Sequence, residues 1–459
     1  MIPTLRNRPG PPQWLAGGLA IIVAMGAPMA GCDRKPDAVI KDAGRPPPVI
    51  ACDQDNGGLT LPAGFCALVV ADHFANLRDL AVNANGDLYV SLLNRRMNYG
   101  GLVALRDRDG DGRADDIQRF GDRGGVGIAV HAGHLYLGQD TAIVRYRLRD
   151  ELVPRGEPEV VVRSLPATVA HASKTFAFDT AGGLYVSVGA PSNACQKQNR
   201  GPGSAGLDPC PELATSGGVW HFTPSQSGQG FAEGTRYASG IRHALAIAWR
   251  QADDSLYVVQ HGRDELSDLW PQKFTVEQGE VLPAEEMLRV TAGAEFGWPY
   301  CYYDPFQHRH VLAPEYGGDG MRVGRCAGYP EPAAAYPAHS GPNDLLFYGG
   351  TQFPARYRGG AFIAFHGAYR RGTATRGGYE LVFQPFDNQR AASEWEVFAS
   401  GFDGGGLAAA GGAVRRPTGL AEGPDGSLYV GDSETGRIWR ILYRGPGTPP
   451  RVDRVPRSQ

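Results

Sequence analysis

Acidic residues between positions 107 and 115 have the spacing of a calcium-binding loop. Carboxylates recur at alternate positions and Gly112 stands at the sixth, as in the first part of an EF-hand loop, where alternate oxygens converge on one ion. Gln118 replaces the closing glutamate, so we expect a modest affinity; the alternative is a solvated acidic turn. The predicted ligands are Asp107, Asp109, Asp111, Asp115 and, through its backbone carbonyl, Arg113.

A histidine, His171, precedes two alternating apolar segments, 176–178 and 184–188, which a short Gly-containing turn joins. This pattern predicts a β-hairpin and places the histidine where a strand emerges at one end of a sheet. Imidazole titrates near neutral pH and can act as a general base. The alternative is a strand-end histidine that binds only to backbone.

The same hairpin recurs along the chain, and most copies are followed by a further strand. The copies span residues 80–90, 128–137, 176–188, 245–258, 345–363 and 420–430. A repeat of this kind predicts an all-β fold, a six-bladed β-propeller with four-stranded antiparallel blades. Two β-sandwiches are the alternative, which six copies of one motif disfavour.

The first 32 residues have the features of a lipoprotein signal peptide. Basic Arg6 and Arg8 precede an apolar segment at 15–27, and Met-Ala-Gly-Cys at 29–32 resembles a bacterial lipobox. We therefore expect lipid attachment at Cys32 and an exported, periplasmic, membrane-anchored protein. Ordinary cleavage nearby, with Cys32 incidental, is the alternative.

Composition divides the remainder of the chain. Residues 33–58 are polar and Pro-rich and predict a flexible tether, 59–444 form the propeller domain, and 445–459 predict a disordered tail. The net charge of −3 gives no reason to expect nucleic acid as a partner.

Six cysteines remain when Cys32 is set aside, and they fall into local pairs. An exported protein can keep disulfides oxidised, and six cysteines allow fifteen connectivities. A zinc site is disfavoured because no pair has the short C-x-x-C spacing. The local pairing that we propose is Cys52 with Cys66, Cys195 with Cys210, and Cys301 with Cys326.

Several motifs occur in an order that resembles one enzyme family. Besides the hairpins and His171, they are Tyr-Ala-Ser-Gly-Ile-Arg at 237–242, Phe-Gly-Trp-Pro at 296–299 and Arg-Pro-Thr-Gly-Leu at 416–420. Over residues 52–443 the chain resembles the soluble quinoprotein glucose/sorbosone dehydrogenases. The cysteine pairs and residues 345–354 are similar to the sorbosone dehydrogenase-like branch. This resemblance implies oxidation of a sugar, sugar aldehyde or related alcohol by hydride transfer to pyrroloquinoline quinone (PQQ), beside calcium.

The resemblance also implies roles for single residues. His171 matches the general base, Arg242 the active-site arginine that also contacts PQQ, and Arg416 a second arginine at PQQ. For the family's lysine near the quinone, Arg370 or Arg371 is the candidate. The backbone carbonyls of Gly262 and Arg263 are the predicted ligands of the calcium ion beside the quinone.

Two other functions compete with this interpretation. A calcium-dependent lactonase shares the fold, but it needs carboxylate and amide side chains around its metal, whereas Arg242 and Arg416 suit an anionic cofactor. A binding propeller without cofactor is the second alternative, because Ala170, His243 and the missing lysine depart from the glucose branch. A dehydrogenase would also need an external electron acceptor, since the sequence has no C-x-x-C-H haem motif.

Overall fold

Each predicted hairpin begins one antiparallel sheet in the computed structural model. The structure describes residues 50–93, 100–168, 170–368, 378–387, 390–392, 394–404 and 413–445. Within those ranges, six sheets of four or five strands form the blades of a propeller. The predicted all-β, six-bladed architecture is therefore confirmed.

The first three blades follow the chain from the inner strand outward. Blade 1 contains Leu77–Val82, Leu88–Leu92, Gly101–Arg106 and Asp116–Phe120. Blade 2 contains Ile128–His131, His134–Gln139, Ala142–Arg147 and Glu159–Arg163, with Gln229–Gly230 added at its edge. Blade 3 contains Phe176–Phe178, Leu184–Val188, Gly218–Phe222 and Thr235–Ser239, with Ala294–Glu295 added.

The last three blades close the ring. Blade 4 contains Ala246–Arg250, Ser255–Gln260, Glu285–Val290 and Ala334–Tyr336. Blade 5 contains Pro342–Phe347, Ala361–Phe365, Glu380–Gln384 and Glu396–Ala399. Blade 6 contains Pro417–Glu422, Leu428–Asp432 and Ile438–Tyr443, and its outer strand is Phe65–Ala71 from the other end of the described chain.

The insertions between blade strands add short elements. Two small hairpins pair Cys301–Asp304 with Arg309–Leu312 and Phe386–Asp387 with Arg390–Ala391. The α-helices of the described residues are Leu266–Leu269 and Val276–Val281. The 3-10 turns are Asn56–Gly58, Pro211–Ala214, Phe231–Glu233, Pro314–Tyr316, Gly324–Gly328 and Ala355–Tyr357. In the described part of the chain, no helix is long and apolar enough to span a membrane.

The repeated Leu-Tyr-Val segments explain how the blades pack. In blade 1, Leu88 and Val90 belong to an apolar cluster shared with blade 6, whereas Tyr89 lies in a cluster shared with blade 2. Successive strand side chains point to opposite faces of a sheet, and here each face meets a neighbouring blade. All three residues are therefore buried, which accounts for apolar runs where a half-exposed strand would alternate.

Two carboxyl groups meet between inner strands. Asp79 lies on the inner strand of blade 1 and Asp344 on that of blade 5, and their side chains hydrogen-bond to each other. Each also accepts a backbone N–H from another blade: Asp79 from Ile128 at 3.1 Å and Asp344 from Leu420 at 2.6 Å. This pair, which we call the inner acid pair, thus connects the inner strands of four blades.

The propeller begins earlier than residue 59. Residues 50–58, assigned to the tether from the sequence, are held against blade 6: Cys52 is bonded to Cys66, and Trp439 Nε1 donates to the Gly57 carbonyl at 3.1 Å. Gly57 has a φ of 62°, and a Cβ there would lie 2.7 Å from Trp439 Nε1. Gly57 is therefore required for close packing against blade 6. The predicted signal peptide with Cys32, the rest of the tether and residues 446–459 lie outside the described residues.

Candidate functional site

Arg242 lies between blades 3 and 4, directly after the Tyr-Ala-Ser-Gly-Ile segment, and only 3% of it is exposed. Its guanidinium donates to Asp264 Oδ2 at 2.8 Å, to Asn193 Oδ1 at 3.0 Å and to the Gly262 carbonyl at 2.9 Å. Burying a cation is costly unless it is paired and hydrogen-bonded. These contacts fix the plane of the guanidinium beside the loop that follows the second strand of blade 4.

Asn193 organises this site, although the sequence analysis did not identify it. It is fully buried; its side-chain oxygen also accepts the Asp264 N–H at 2.9 Å, and its backbone carbonyl accepts Trp298 Nε1 at 3.0 Å. It belongs to an insertion of blade 3 that the Cys195–Cys210 disulfide closes. The only local hint is its position two residues before a cysteine.

All three predicted disulfides are present among the described residues: Cys52–Cys66, Cys195–Cys210 and Cys301–Cys326. The last two pairs lie in one apolar cluster with Trp298, beneath the insertions that carry Asn193. The local pairing is confirmed, and these two bridges fix the loops around Arg242.

A stack of three histidines adjoins Arg242. The His171 ring stacks on His243 with centroids 4.4 Å apart, and His243 lies 5.2 Å from His261. Burial, reinforced by Arg242, lowers the pKa of His171 to about 3, and burial lowers the pKa of His261 to about 4. The three rings are therefore neutral at neutral pH.

The hydrogen bond of His171 defines its basic atom. Nδ1 lies 2.6 Å from the Ala190 carbonyl, which can only accept, so Nδ1 carries the proton. Nε2 is then the nitrogen with a free lone pair. This bond is the backbone contact expected of a strand-end histidine, the alternative to a catalytic role. It also leaves Nε2 as the ring atom that can accept a proton.

A cavity of 540 Å³ opens beside these residues. Its walls include Arg416, Arg200, His261, Asp264 and Glu285, whereas His171 lies behind His261 and His243 rather than in the wall itself. The structure thus brings His171, Arg242 and Arg416 to one region, as their shared position at blade starts predicted.

Arg416 precedes the inner strand of blade 6 and is 5% exposed. Its guanidinium donates to the carbonyls of His366 at 2.9 Å and Gly367 at 2.5 Å, and its backbone N–H donates to Asp432 at 2.6 Å. Its Nη1 also lies 4.0 Å from a carboxylate oxygen of Glu434. Arg416 therefore places a guanidinium, held by carbonyl oxygens and close to one carboxylate, in the cavity wall.

Two carboxyl groups in the cavity wall have opposite protonation preferences. Although burial opposes it, Arg242 and Arg200 hold the pKa of Asp264 well below its usual range. Burial raises the pKa of Glu285 to about 8, while its oxygens accept N–H groups from Gly262 at 2.8 Å and Gly341 at 3.4 Å. Asp264 is an anion paired with arginines, and Glu285 is mostly protonated at neutral pH.

One of the two carbonyls predicted to bind calcium beside the quinone is engaged within the protein. The Gly262 carbonyl accepts Nη1–H from Arg242, so a cation at that oxygen would lie against a guanidinium. The Arg263 side chain forms a buried ion pair with Glu315 at 2.7 Å, which does not involve the predicted ligand, its backbone carbonyl. Calcium at this position stays a prediction. We derive no catalytic step through calcium at this position.

The acidic loop at 107–115 gathers part of its predicted ligand set. Carboxylate oxygens of Asp107, Asp109 and Asp115 lie within 4.8 Å of one another, whereas Asp111 accepts the Arg113 backbone N–H at 2.8 Å. Calcium at this loop stays a prediction. Arg370 and Arg371, the candidates for the family's lysine, lie outside the described residues.

Comparison with known proteins identifies the family. The TrAA12-like family model matches residues 59–444, most of the chain. The chain belongs to the TrAA12-like family. A curated relative of this TrAA12-like chain is an uncharacterized protein of Borreliella burgdorferi, 26% identical over 208 residues. That match covers 45% of the chain and 48% of the relative, so it spans about half of the relative's length.

Solved structures share the fold of this TrAA12-like chain. A calcium structure of the Trichoderma reesei carbohydrate-active enzyme of family AA12 has a TM-score of 0.68 at 16% identity, covering 84% of this chain and 97% of that one. The holo PQQ domain of pyranose dehydrogenase from Coprinopsis cinerea has a TM-score of 0.66 at 17% identity, with the same coverage. The apo aldose sugar dehydrogenase of Escherichia coli has a TM-score of 0.56 at 15% identity, covering 83% and 100%.

Proposed function

We propose that this protein is a PQQ-dependent oxidoreductase that oxidises a sugar, a sugar aldehyde or a related alcohol. The observation that carries the proposal is the cavity of 540 Å³ with buried Arg416 in its wall and neutral histidines beside it. The names of structural neighbours, a PQQ-bound pyranose dehydrogenase domain and an aldose sugar dehydrogenase, support the same chemistry. The sorbosone dehydrogenase-like branch is the finer form of this proposal.

The cavity residues fit a flat, anionic quinone. Small-molecule sites usually measure roughly 300–1,000 Å³, which includes the 540 Å³ cavity. Arg416 and Arg200 supply guanidinium groups in the wall, which pair well with carboxylates. Arg242 holds Asp264 in the wall through its 2.8 Å ion pair. When bound, PQQ would supply the two-electron acceptor that these side chains cannot provide.

The chain's own contribution to chemistry is a proton acceptor. In the proposed reaction a neutral histidine of this cluster takes the hydroxyl proton of the substrate as the C–H hydride leaves. His171 is the base that the sequence predicts, and His261 is the histidine that lines the cavity. The pKa of His171, about 3, reflects burial and the neighbouring Arg242. Negative charge placed opposite Arg242 would raise that pKa toward the useful range, so an anionic cofactor would increase the basicity of the histidine.

Reconstitution tests the proposal. Purified protein is titrated with PQQ, with and without calcium, while quinone absorbance is followed; dye reduction is then measured over a panel of sugars, sugar aldehydes and polyols. We expect saturable quinone binding and dye reduction that depends on both PQQ and a sugar. Absence of quinone binding under all conditions would contradict the proposal and favour the binding propeller.

The lactonase alternative receives no support from the cavity. In the described residues, the groups of side chains able to hold a metal are the 107–115 loop and a set that contains the bonded cysteines Cys195 and Cys210. Neither contributes a side chain to the cavity wall. Export, lipid attachment at Cys32 and transfer of electrons to an external carrier remain parts of the proposal that rest on the sequence.

A further inference from the structure

A second cavity of 480 Å³ lies beside the first, along the edges of blades 4 and 5. Glu280 lines both cavities, and the helix Val276–Val281 contributes residues to each. The segment 336–341 also lines both cavities. His339 and Gly341 line the first cavity, and residues 336–338 and 340 line the second. The two cavities thus share one helix and one loop as parts of their walls.

Aromatic rings form much of the second cavity. Trp395 precedes the outer strand of blade 5 and contacts the edge of Tyr336 at a centroid distance of 6.1 Å. The Tyr336 hydroxyl donates to Gln384 at 3.2 Å, which fixes its ring. Phe306, at the tip of the 301–312 hairpin, is 68% exposed. Large apolar rings exposed in a cavity indicate a binding surface.

A carboxyl group without a partner faces the same space. Glu380 begins the third strand of blade 5, and its side chain has no hydrogen bond or ion pair within the described residues. It is nonetheless largely withdrawn from water, and burial raises its pKa to about 7. A half-buried polar group that binds nothing in the protein is costly unless a ligand satisfies it.

The combination of rings and carboxyls selects the class of ligand. Aromatic faces contact the apolar C–H surface of a pyranose, and carboxyl oxygens accept hydrogen bonds from its hydroxyls. A monosaccharide in the first cavity would leave the second cavity empty, whereas a chain of two or more sugars could occupy both.

We propose that the second cavity is a sugar-binding subsite, which holds the non-reacting ring of an oligosaccharide whose reacting end occupies the first cavity. The proposal deepens the proposed function and rests on it for the identity of the substrate. Glu280, placed between the two cavities, contacts the linkage between the rings. Trp395 supplies the stacking surface, and Glu380 accepts a hydroxyl of the second ring.

Binding and turnover are measured separately to test this subsite. Calorimetry on the full chain compares glucose, xylose and mannose with their 1,4-linked disaccharides. The holoenzyme, reconstituted with PQQ and calcium, is assayed for kcat/KM on the same pairs. For at least one pair we expect the disaccharide to bind roughly tenfold more tightly than the monosaccharide, the effect of one good polar or ring contact.

Two variants and a control locate the effect. Trp395→Ala and Glu380→Ala should remove the disaccharide preference and leave monosaccharide kcat/KM unchanged, whereas Glu394→Ala, an exposed neighbour, should behave like the parent. Because Trp395 also packs against Tyr336, the Glu380→Ala variant, which removes only the hydrogen-bond acceptor, keeps the test valid if Trp395→Ala unfolds. Equal affinity for mono- and disaccharides, or an unchanged preference in Glu380→Ala, would overturn the subsite. Disaccharide binding without quinone binding would instead refute the dehydrogenase and retain the subsite.

Discussion

The histidine–arginine cluster at the first cavity and the inner acid pair are both buried and ionisable, yet they are stabilised in opposite ways. Arg242 is kept charged by Asp264 and by carbonyl oxygens, and the neighbouring histidines are kept neutral. Asp79 and Asp344 hydrogen-bond to each other and to backbone N–H groups of other blades. The first cluster keeps a paired guanidinium and neutral imidazoles beside a cavity, and the second connects blades by sharing a proton.

The largest expected effect concerns the histidines. His171→Ala should lower turnover by about 10²–10⁴-fold, the usual contribution of a general base, and leave PQQ affinity within a few-fold of the parent. Dye reduction gives the first quantity and absorbance titration the second. Exposed His73→Asn is the control. If His171→Ala turns over like the parent while His261→Ala does not, then His261, which lines the cavity, is the base.

A variant at Arg416 tests whether the guanidinium in the cavity wall binds the anionic quinone. Arg416→Gln should weaken PQQ binding by roughly 10–150-fold, because a hydrogen bond to a charged group contributes about 1.5–3 kcal/mol. Turnover at saturating PQQ should change little. Exposed Arg358→Gln serves as the matched control. A loss of turnover with unchanged quinone affinity would contradict this role.

The inner acid pair should make stability fall as pH rises. Burial raises the pKa of Asp344 to about 7, against 3.8 for a free aspartate. Both states are protonated at low pH, and the unfolded carboxyl ionises first, so stability is lost between about pH 4 and 7. Asp79→Asn should flatten this loss, by about 1–3 kcal/mol, in urea unfolding at pH 4.5, 6 and 7.5; exposed Asp122→Asn should retain it.

The histidine cluster should make the folded state less stable as pH falls. Its folded pKa values lie below the 6.5 of free histidine, so the unfolded state binds protons first and stability falls as pH drops from about 6.5. His261→Asn should weaken the acid-side loss without altering the alkaline side. An unchanged acid-side slope would show that the histidines do not titrate on unfolding.

The smallest expected effect is at the surface. Calcium should raise the unfolding midpoint by a few degrees if the 107–115 loop binds it, since a ligand that binds only the folded state stabilises in proportion to the logarithm of its concentration. Asp109→Asn should abolish the shift. Magnesium at the same ionic strength is the control, and an equal shift in Asp109→Asn would place the calcium elsewhere.

The sequence predicted the blades because each depends on a local signal. Leu-Tyr-Val after a tight turn specifies a hairpin without reference to distant residues, and the neighbouring cysteines were paired for the same reason. Asn193, Glu285 and the inner acid pair were missed because their partners are brought together only by the closed ring. Residues 50–58 pack against blade 6, a contact that polar, Pro-rich composition does not predict because it depends on the distant Trp439.

The pairing of strand Phe65–Ala71 affects how the chain folds. It pairs with Ile438–Tyr443, so blade 6 is incomplete until both ends of the propeller are available. Such a long-range contact forms slowly, and the unpaired edge of Ile438–Tyr443 is exposed to other chains in the meantime. The Cys52–Cys66 bond ties the segment before this strand to the strand itself, so both join blade 6 as one unit.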